Sequence, residues 1–250
     1  MSNNFSFYGN SFIDYPNKIS CIVFYNRCNF RCPFCHNRDL LDGKLEGFSE
    51  EQVIAKIKER KDFVEAVVIS GGEPTIYDDI LPFLRQIKNI GLKVKLDTNG
   101  YRYDILYRII AEKSVDYIAM DIKTSLSRYS PACGVGVDVA NIIHSIEAIK
   151  KSGIGHEFRT TCVPLLVDEE DIKKIHSLVD NSTYRLQNFS SDKVLDPVFS
   201  SVIPYSEIKM NEMRRSMMDK TKFVWNDENS GSKVIIIEER KEEEDDEEEK

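Results

Sequence analysis

Short runs of β-branched and aromatic residues alternate along the chain with stretches whose apolar positions recur at helical spacing. That alternation predicts a largely parallel sheet with crossover helices. Strands are expected at residues 20–25, 64–70, 92–97, 115–121, 156–161 and 183–187, which makes six βα units. The helices between them carry their own punctuation. Asp78 and Asp79 open one, Ile80, Phe83, Leu84 and Ile87 form its apolar face, and Gly91 closes it. Another runs over residues 138–152, with Val139, Ile142, Ile143, Ile146 and Ile149 as its stripe and Gly153 beyond its end. Further on, a helix over 206–218, a short strand near Phe223 and an extra strand at 233–237 are expected.

Strand parity bears on function. Successive side chains point to opposite faces, so in the third strand Leu92, Val94 and Leu96 share one face and Lys93, Lys95 and Asp97 the other. In the fourth, Ile118, Met120 and Ile122 oppose Tyr117, Ala119, Asp121 and Lys123, while Arg159, Arg185 and Gln187 fall on the equivalent face of the last two. One side of the sheet is polar. A closed eight-stranded barrel is packed inside with Val, Ile and Leu. A charged inner face therefore predicts an α/β fold of the partial (β/α)6, TIM-like barrel type, open laterally and holding a polar ligand. An open doubly wound sheet is the alternative, but helices would cover both its faces, and both should then read as apolar.

Charge sharpens the domain picture. The 250 residues carry a net charge of -8, yet residues 238–250 hold ten carboxylates and three basic groups, so 1–237 carries 31 positive against 32 negative charges. We expect one domain over 1–237, with its motif-bearing core within about 12–225, followed by an acidic, disordered tail at 238–250. A nearly neutral body has no basic surface to follow a phosphate backbone, which argues against nucleic acid as a partner. Residues 1–10 are polar, and no apolar run is long enough for a signal peptide or a membrane span. A cytoplasmic location follows, where thiols stay reduced.

The six cysteines therefore call for chemistry other than disulfides. A long connection after the first strand holds Cys28-Asn-Phe-Arg-Cys32-Pro-Phe-Cys35-His36-Asn37. Three thiols this close in a reducing compartment point to metal or redox chemistry. Structural zinc wants four ligands, and His36 is poorly placed beside Cys35 to supply the fourth. Three thiolates suit a 4Fe-4S cluster whose fourth iron stays open to a small ligand.

The C-x3-C-x2-C spacing followed by His-Asn resembles the cluster loop of the radical S-adenosylmethionine enzymes. Gly71-Gly72-Glu73-Pro74 after the second strand is similar to that family's GGEP motif, whose backbone and Glu receive the amino group of the cofactor's methionine moiety. Asp97-Thr98-Asn99-Gly100 and Asp121-Ile122-Lys123 resemble stretches in activating enzymes of glycyl radical enzymes. The resemblance implies that Cys28, Cys32 and Cys35 ligate the cluster and that Asp121, Lys123 and Arg159 face the carboxylate and ribose of S-adenosylmethionine. It also implies that Phe34 lies against the adenine, that Gln187 belongs to the cofactor-binding set, and that Asp97, Thr98 and Asp121 border a monovalent cation. Asp14-Tyr15-Pro16, the cysteine loop and the stretch from Tyr184 to Phe189 most resemble anaerobic ribonucleoside-triphosphate reductase activating proteins.

That kinship implies reductive cleavage of S-adenosylmethionine and removal of a glycine hydrogen from a partner, the anaerobic ribonucleotide reductase large subunit, with flavodoxin or ferredoxin as electron donor. Two alternatives stand beside it. One is a radical enzyme acting on a small molecule, such as a 7-carboxy-7-deazaguanine synthase; the other is a non-catalytic zinc or iron-sulfur module. Cys21 and Cys162 are expected to be packed as small hydrophobes on strands; Cys133, in the 124–136 loop at the ligand end, is expected to be a free thiol, with a redox or substrate-contact role as the alternative. His144 and His176 are expected at helix surfaces, His156 at a strand start, and His36 either as a donor behind the cluster or as a plain loop residue.

Overall fold

The computed structural model describes residues 5–41 and 47–217. It contains one seven-stranded sheet in the order β1 (Phe5–Tyr15), β2 (Lys18–Tyr25), β3 (Ala66–Gly71), β4 (Lys93–Thr98), β5 (Tyr117–Asp121), β6 (Gly155–Cys162) and β7 (Thr183–Asn188). Pairing from β2 to β7 is parallel throughout, and β1 pairs antiparallel with β2. The first and last strands do not pair with each other, so the sheet is a partial barrel and not a closed one. The helices are α1 (Arg38–Leu41), α2 (Glu50–Arg60), α3 (Ile80–Ile90), α4 (Tyr103–Ala111), α5 (Tyr129–Cys133), α6 (Val139–Lys151), α7 (Glu169–Leu178) and α8 (Glu207–Ser216).

All six expected parallel strands are present, each within two residues of its predicted start. Local chemistry explains several helix ends. A reciprocal capping box of Ser49 and Gln52 opens α2, Asp138 accepts the Ala140 amide at the start of α6, and Gly91 closes α3 in the left-handed conformation. Asp79 stands at the N-cap of α3 without a side-chain bond.

The sequence reading missed β1. Residues 1–10 are polar in composition, but Phe5 is buried against Tyr25 and Phe83, with ring centroids 4.7 and 5.1 Å away. Two register shifts interrupt its pairing with β2, and Phe12 and Ile13 face solvent, so its apolar residues never alternate cleanly. The expected strands near Phe223 and at 233–237, the last residue of the 206–218 helix and the acidic tail at 238–250 lie outside the described residues.

Parity holds across the sheet. The outer face, with Val67, Ile69, Val94, Leu96, Ile118, Met120 and Phe158, packs under the helices in the main core beside Ile57, Phe83, Leu84, Ile87 and Ile146. The inner face is apolar only where Tyr15, Ile22, Ala66 and Val68 cluster, and polar from β4 to β7. Cys21 and Cys162 are fully buried on their strands. Among the described residues, no helix is long and apolar enough to cross a membrane.

Candidate functional site

The cysteine loop leaves the carboxyl end of β2 and rests on bare backbone. The Gly72 amide donates to the Tyr25 carbonyl at 2.9 Å and the Glu73 amide to the Arg27 carbonyl at 2.9 Å. A Cβ on Gly71 would strike the Tyr25 backbone, and one on Gly72 would land on the Arg27 carbonyl. These glycines therefore clear room for the start of the cysteine loop. Further along, the Phe30 amide donates to Cys28 Sγ at 3.4 Å, the Cys35 amide to the Cys32 carbonyl at 3.0 Å, and the Arg31 guanidinium to the Cys28 carbonyl at 2.7 Å. On the far side of the loop, His36 Nδ1 lies 2.8 Å from the Asp192 carbonyl, and the Asp196 amide donates to the Pro33 carbonyl at 2.9 Å. One nitrogen of His36 is thus tied to the segment after β7.

The strand ends and this loop enclose one cavity of about 290 Å³. It is lined by Cys28, Cys32, Cys35, Phe34, Gly71, Gly72, Glu73, Asp97, Thr98, Asp121, Lys123, Arg159 and Gln187, so all but one of the expected site residues meet there. The exception is Pro74, which opens a single 3-10 turn (Pro74–Ile76) capped by Glu73.

Charges alternate around the inner wall. Lys95 Nζ sits 3.3 Å from Asp97 Oδ1, Arg159 Nη1 lies 3.5 Å from the same oxygen, Arg159 Nε donates to Asp121 Oδ1 at 2.7 Å, and Lys123 Nζ lies 3.3 Å from Asp121 Oδ2. Burial would push the Asp121 carboxyl up, but Arg159 and Lys123 outweigh it and hold the group at about 2. Lys123 is held cationic in turn: Asp121 overcomes the cost of its burial. Lys95, only 3% exposed, also donates to the Asp14 carbonyl at 2.5 Å. Both carboxylates of the expected cation site, Asp97 and Asp121, are thus already paired with basic side chains.

Glu73 is 1% exposed and knits two loops together. Its Oε1 accepts from the Thr75 amide, the Thr75 hydroxyl and the Thr98 hydroxyl, and its Oε2 from the Asn99 amide at 2.7 Å. Burial raises its pKa, and these bonds from Thr75, Asn99 and Thr98 partly offset that. Oε2 accepts a single protein donor and has a further lone pair to offer.

All six cysteines are free thiols. Burial pushes Cys28 up to about 12 and raises Cys35 as well. Cys32 is lowered, because a hydrogen bond from the Cys133 thiol favours its thiolate more than burial disfavours it. Among the described residues, no three Cys, His, Asp or Glu side chains surround a single point as the ligands of one ion would. Three thiols spread along one cavity wall fit a cluster, in which each cysteine takes its own iron.

Two residues of the site escaped the sequence reading. Asn99, one step beyond the expected pair Asp97 and Thr98, donates its amide to Glu73, and its Nδ2 reaches Asn29 Oδ1 at 2.8 Å and Cys28 Sγ at 4.0 Å. Its place in the Asp97-Thr98-Asn99-Gly100 motif was the available signal. Cys133, expected as a free loop thiol, ends α5 fully buried, and its carbonyl accepts the Arg31 amide of the cysteine loop at 2.8 Å. Nothing in its local sequence announces that bond.

A comparison with protein families decides what this arrangement belongs to. The model of the Radical SAM superfamily matches residues 22–179, from β2 into the end of α7. The chain belongs to the Radical SAM superfamily. Like other radical SAM enzymes, it uses a 4Fe-4S cluster and S-adenosylmethionine. Among curated relatives, a "Putative glycyl-radical enzyme activating enzyme" from Methanocaldococcus jannaschii is 35% identical over 222 residues, covering 86% of this chain and 90% of that one. Pyruvate formate-lyase-activating enzyme from Clostridium pasteurianum is 26% identical, over 82% of this chain and 87% of its own. A "Probable GTP 3',8-cyclase" from Pyrococcus horikoshii is 32% identical over half of this chain, but that region is only 39% of the cyclase. Among solved structures, Streptococcus suis SuiB bound to S-adenosylmethionine superposes with a TM-score of 0.59 at 16% identity, over 77% of this radical SAM chain and 45% of SuiB. At that identity the likeness concerns the fold.

Proposed function

We propose that this radical SAM enzyme is an activase that generates a glycyl radical on a partner, the large subunit of anaerobic ribonucleotide reductase, in the cytoplasm, with flavodoxin or ferredoxin as electron donor. The observation that carries the reading is the single cavity in which the three loop thiols meet the charged carboxyl ends of the strands. Near-full-length similarity to a glycyl-radical activating enzyme supports the choice of substrate class. Among the described residues β1 and β7 do not pair with each other, and this supports it too, because a partial barrel leaves a side route for a polypeptide loop.

When bound, the cluster and S-adenosylmethionine supply the one-electron cleavage chemistry. The chain's own residues bind and orient. Cys28, Cys32 and Cys35 would hold the cluster. Glu73 offers the spare lone pair of Oε2 to the ammonium of the methionine moiety, and the backbone after Gly72 supplies carbonyl oxygens beside it. Arg159 and Lys123, kept cationic by Asp121, meet the carboxylate. Asp97, its Oδ1 held between Lys95 and Arg159, lines the cavity together with Gln187 of β7, and the two would face the remaining polar part of the cofactor. Phe34, buried in the cavity wall, gives the adenine an apolar surface, and Thr98 serves by holding Glu73.

The test is anaerobic reconstitution with iron and sulfide, followed by dithionite and S-adenosylmethionine. The expected product is 5'-deoxyadenosine, with a glycyl radical signal by electron paramagnetic resonance once the reductase subunit is added. Cofactor cleavage without a radical on the reductase would redirect the assignment toward another glycyl radical enzyme or a small-molecule substrate. No cleavage at full cluster content would sink it.

A further inference from the structure

The monovalent cation that the resemblance implies does not fit the side chains expected to hold it, because Asp97, Thr98 and Asp121 have committed their oxygens within the protein. Asp97 Oδ2 accepts the Ser70 hydroxyl at 3.1 Å, and its Oδ1 lies between Lys95 Nζ at 3.3 Å and Arg159 Nη1 at 3.5 Å. Asp121 Oδ1 accepts from Arg159 Nε at 2.7 Å, and its Oδ2 from Lys123 Nζ at 3.3 Å. The Thr98 hydroxyl donates to Glu73 Oε1 at 2.7 Å and accepts the Gly100 amide at 3.1 Å. Lys95 is the unexpected member of this set. It shares a face of β4 with Asp97, is 3% exposed, and reaches that carboxylate from outside the cavity lining. Its ammonium also donates to the Asp14 carbonyl near the end of β1 at 2.5 Å and lies 6.0 Å from the centroid of the Tyr117 ring. A lysine head is a compact charge with three donors, and these three neighbours fix it.

We propose that the Lys95 ammonium takes the place of that cation, so that Asp97 and Asp121 keep their geometry and S-adenosylmethionine binds without potassium or sodium. The charges agree. Lys95, Lys123 and Arg159 face Asp97 and Asp121, which leaves these five groups with one positive charge in excess, matched by the carboxylate of S-adenosylmethionine. A further cation would raise the excess to two where little water remains to screen it. The occupancy of a bound ion follows its concentration, whereas a charge carried on the chain is present in any salt. Lys95 is in this sense a positioning residue, acting on the cofactor through Asp97. The inference rests on the assignment of this cavity as the S-adenosylmethionine site.

The experiment compares the full-length protein with Lys95→Met, each reconstituted anaerobically and exchanged into potassium, sodium or tetramethylammonium chloride at equal ionic strength, which keeps screening constant. Methionine keeps the stem of the side chain filled and vacates the place of Nζ, and tetramethylammonium is too bulky to enter it. Two quantities are read: the dissociation constant of S-adenosylmethionine, by equilibrium dialysis without reductant, and the thermal midpoint of the same sample without the cofactor. Wild type should give one dissociation constant and one midpoint in all three salts. Lys95→Met should bind S-adenosylmethionine about 5-fold or more tightly in potassium or sodium than in tetramethylammonium, with the midpoint moving in the same direction. A wild-type affinity that falls in tetramethylammonium would overturn the inference, as would a Lys95→Met protein indifferent to the salt. Should Lys95→Met fail to fold, the wild-type comparison decides alone. Wild-type protein that binds no S-adenosylmethionine in any salt would instead refute the site assignment, and the inference with it.

Discussion

The two faces of the sheet solve different problems with the same strands. On β4, Val94 and Leu96 disappear under α3 while Lys95 and Asp97, their immediate neighbours in sequence, face a polar lumen. The outer face buries apolar area and carries no charge from β3 to β5. The inner face buries Lys95, Asp97, Asp121 and Arg159 in mutual pairs, an arrangement that seldom adds stability over apolar packing and survives where binding requires it. Stability and ligand recognition are therefore separable by side-chain parity, and substitutions one residue apart should fall into different classes.

The largest expected effect is on the inner side. Cys32→Ala should abolish 5'-deoxyadenosine formation while leaving the thermal midpoint nearly unchanged, as read by product chromatography and circular dichroism on the same sample. Its counterpart outside is Ile87→Ala on α3, which opens a cavity in the core. That variant should lose about 2–5 kcal/mol in a urea titration, with cleavage per folded, cluster-loaded molecule unchanged. A large activity loss in folded Ile87→Ala would break the separation of the faces.

A smaller effect sharpens it. Lys95→Met removes one of two cations beside Asp97 and one donor to the Asp14 carbonyl, and should cost about 1–3 kcal/mol. Adding Asp97→Asn should recover part of that loss, giving a coupling energy in a double-mutant cycle. Smallest is the acid response. The Asp121 carboxyl is depressed in the folded state to about 2, below the roughly 3.9 of an unfolded chain, so its contribution is fully present above about pH 4 and is lost as pH falls toward 2. Asp121→Asn should flatten the stability curve in that window and leave it alone at neutral pH apart from a constant offset.

Which parts of this were legible in the sequence follows from where the information lies. The parallel strands could be read because two-residue alternation and helix-end residues such as Gly91 and Asp138 are local. The grouping of Cys28, Cys32 and Cys35 was legible from their spacing, and all three line one cavity. By contrast, β1 stays hidden because it is an edge strand whose register shifts twice and whose exposed Phe12 and Ile13 break the alternation. The bonds from Thr98 and Asn99 to Glu73, and from the Arg31 amide to the Cys133 carbonyl, join residues far apart in the chain, and no periodicity encodes them. Gly71 and Gly72 admit the protein's own backbone at Tyr25 and Arg27, a contact between distant parts of the chain that no local pattern encodes.

That last point bears on how the protein tolerates change over generations. The cysteine loop is seated at Gly72 beneath Arg27 and at Gly134 beneath Arg31, in each case main chain against main chain with no side chain as a shim. Its shape is inherited through two missing methyl groups more than through the residues that decorate it. Outward-facing loop positions are free to drift toward new partners while the sulfurs stay where they are. A single added carbon at either seat would lift the whole loop.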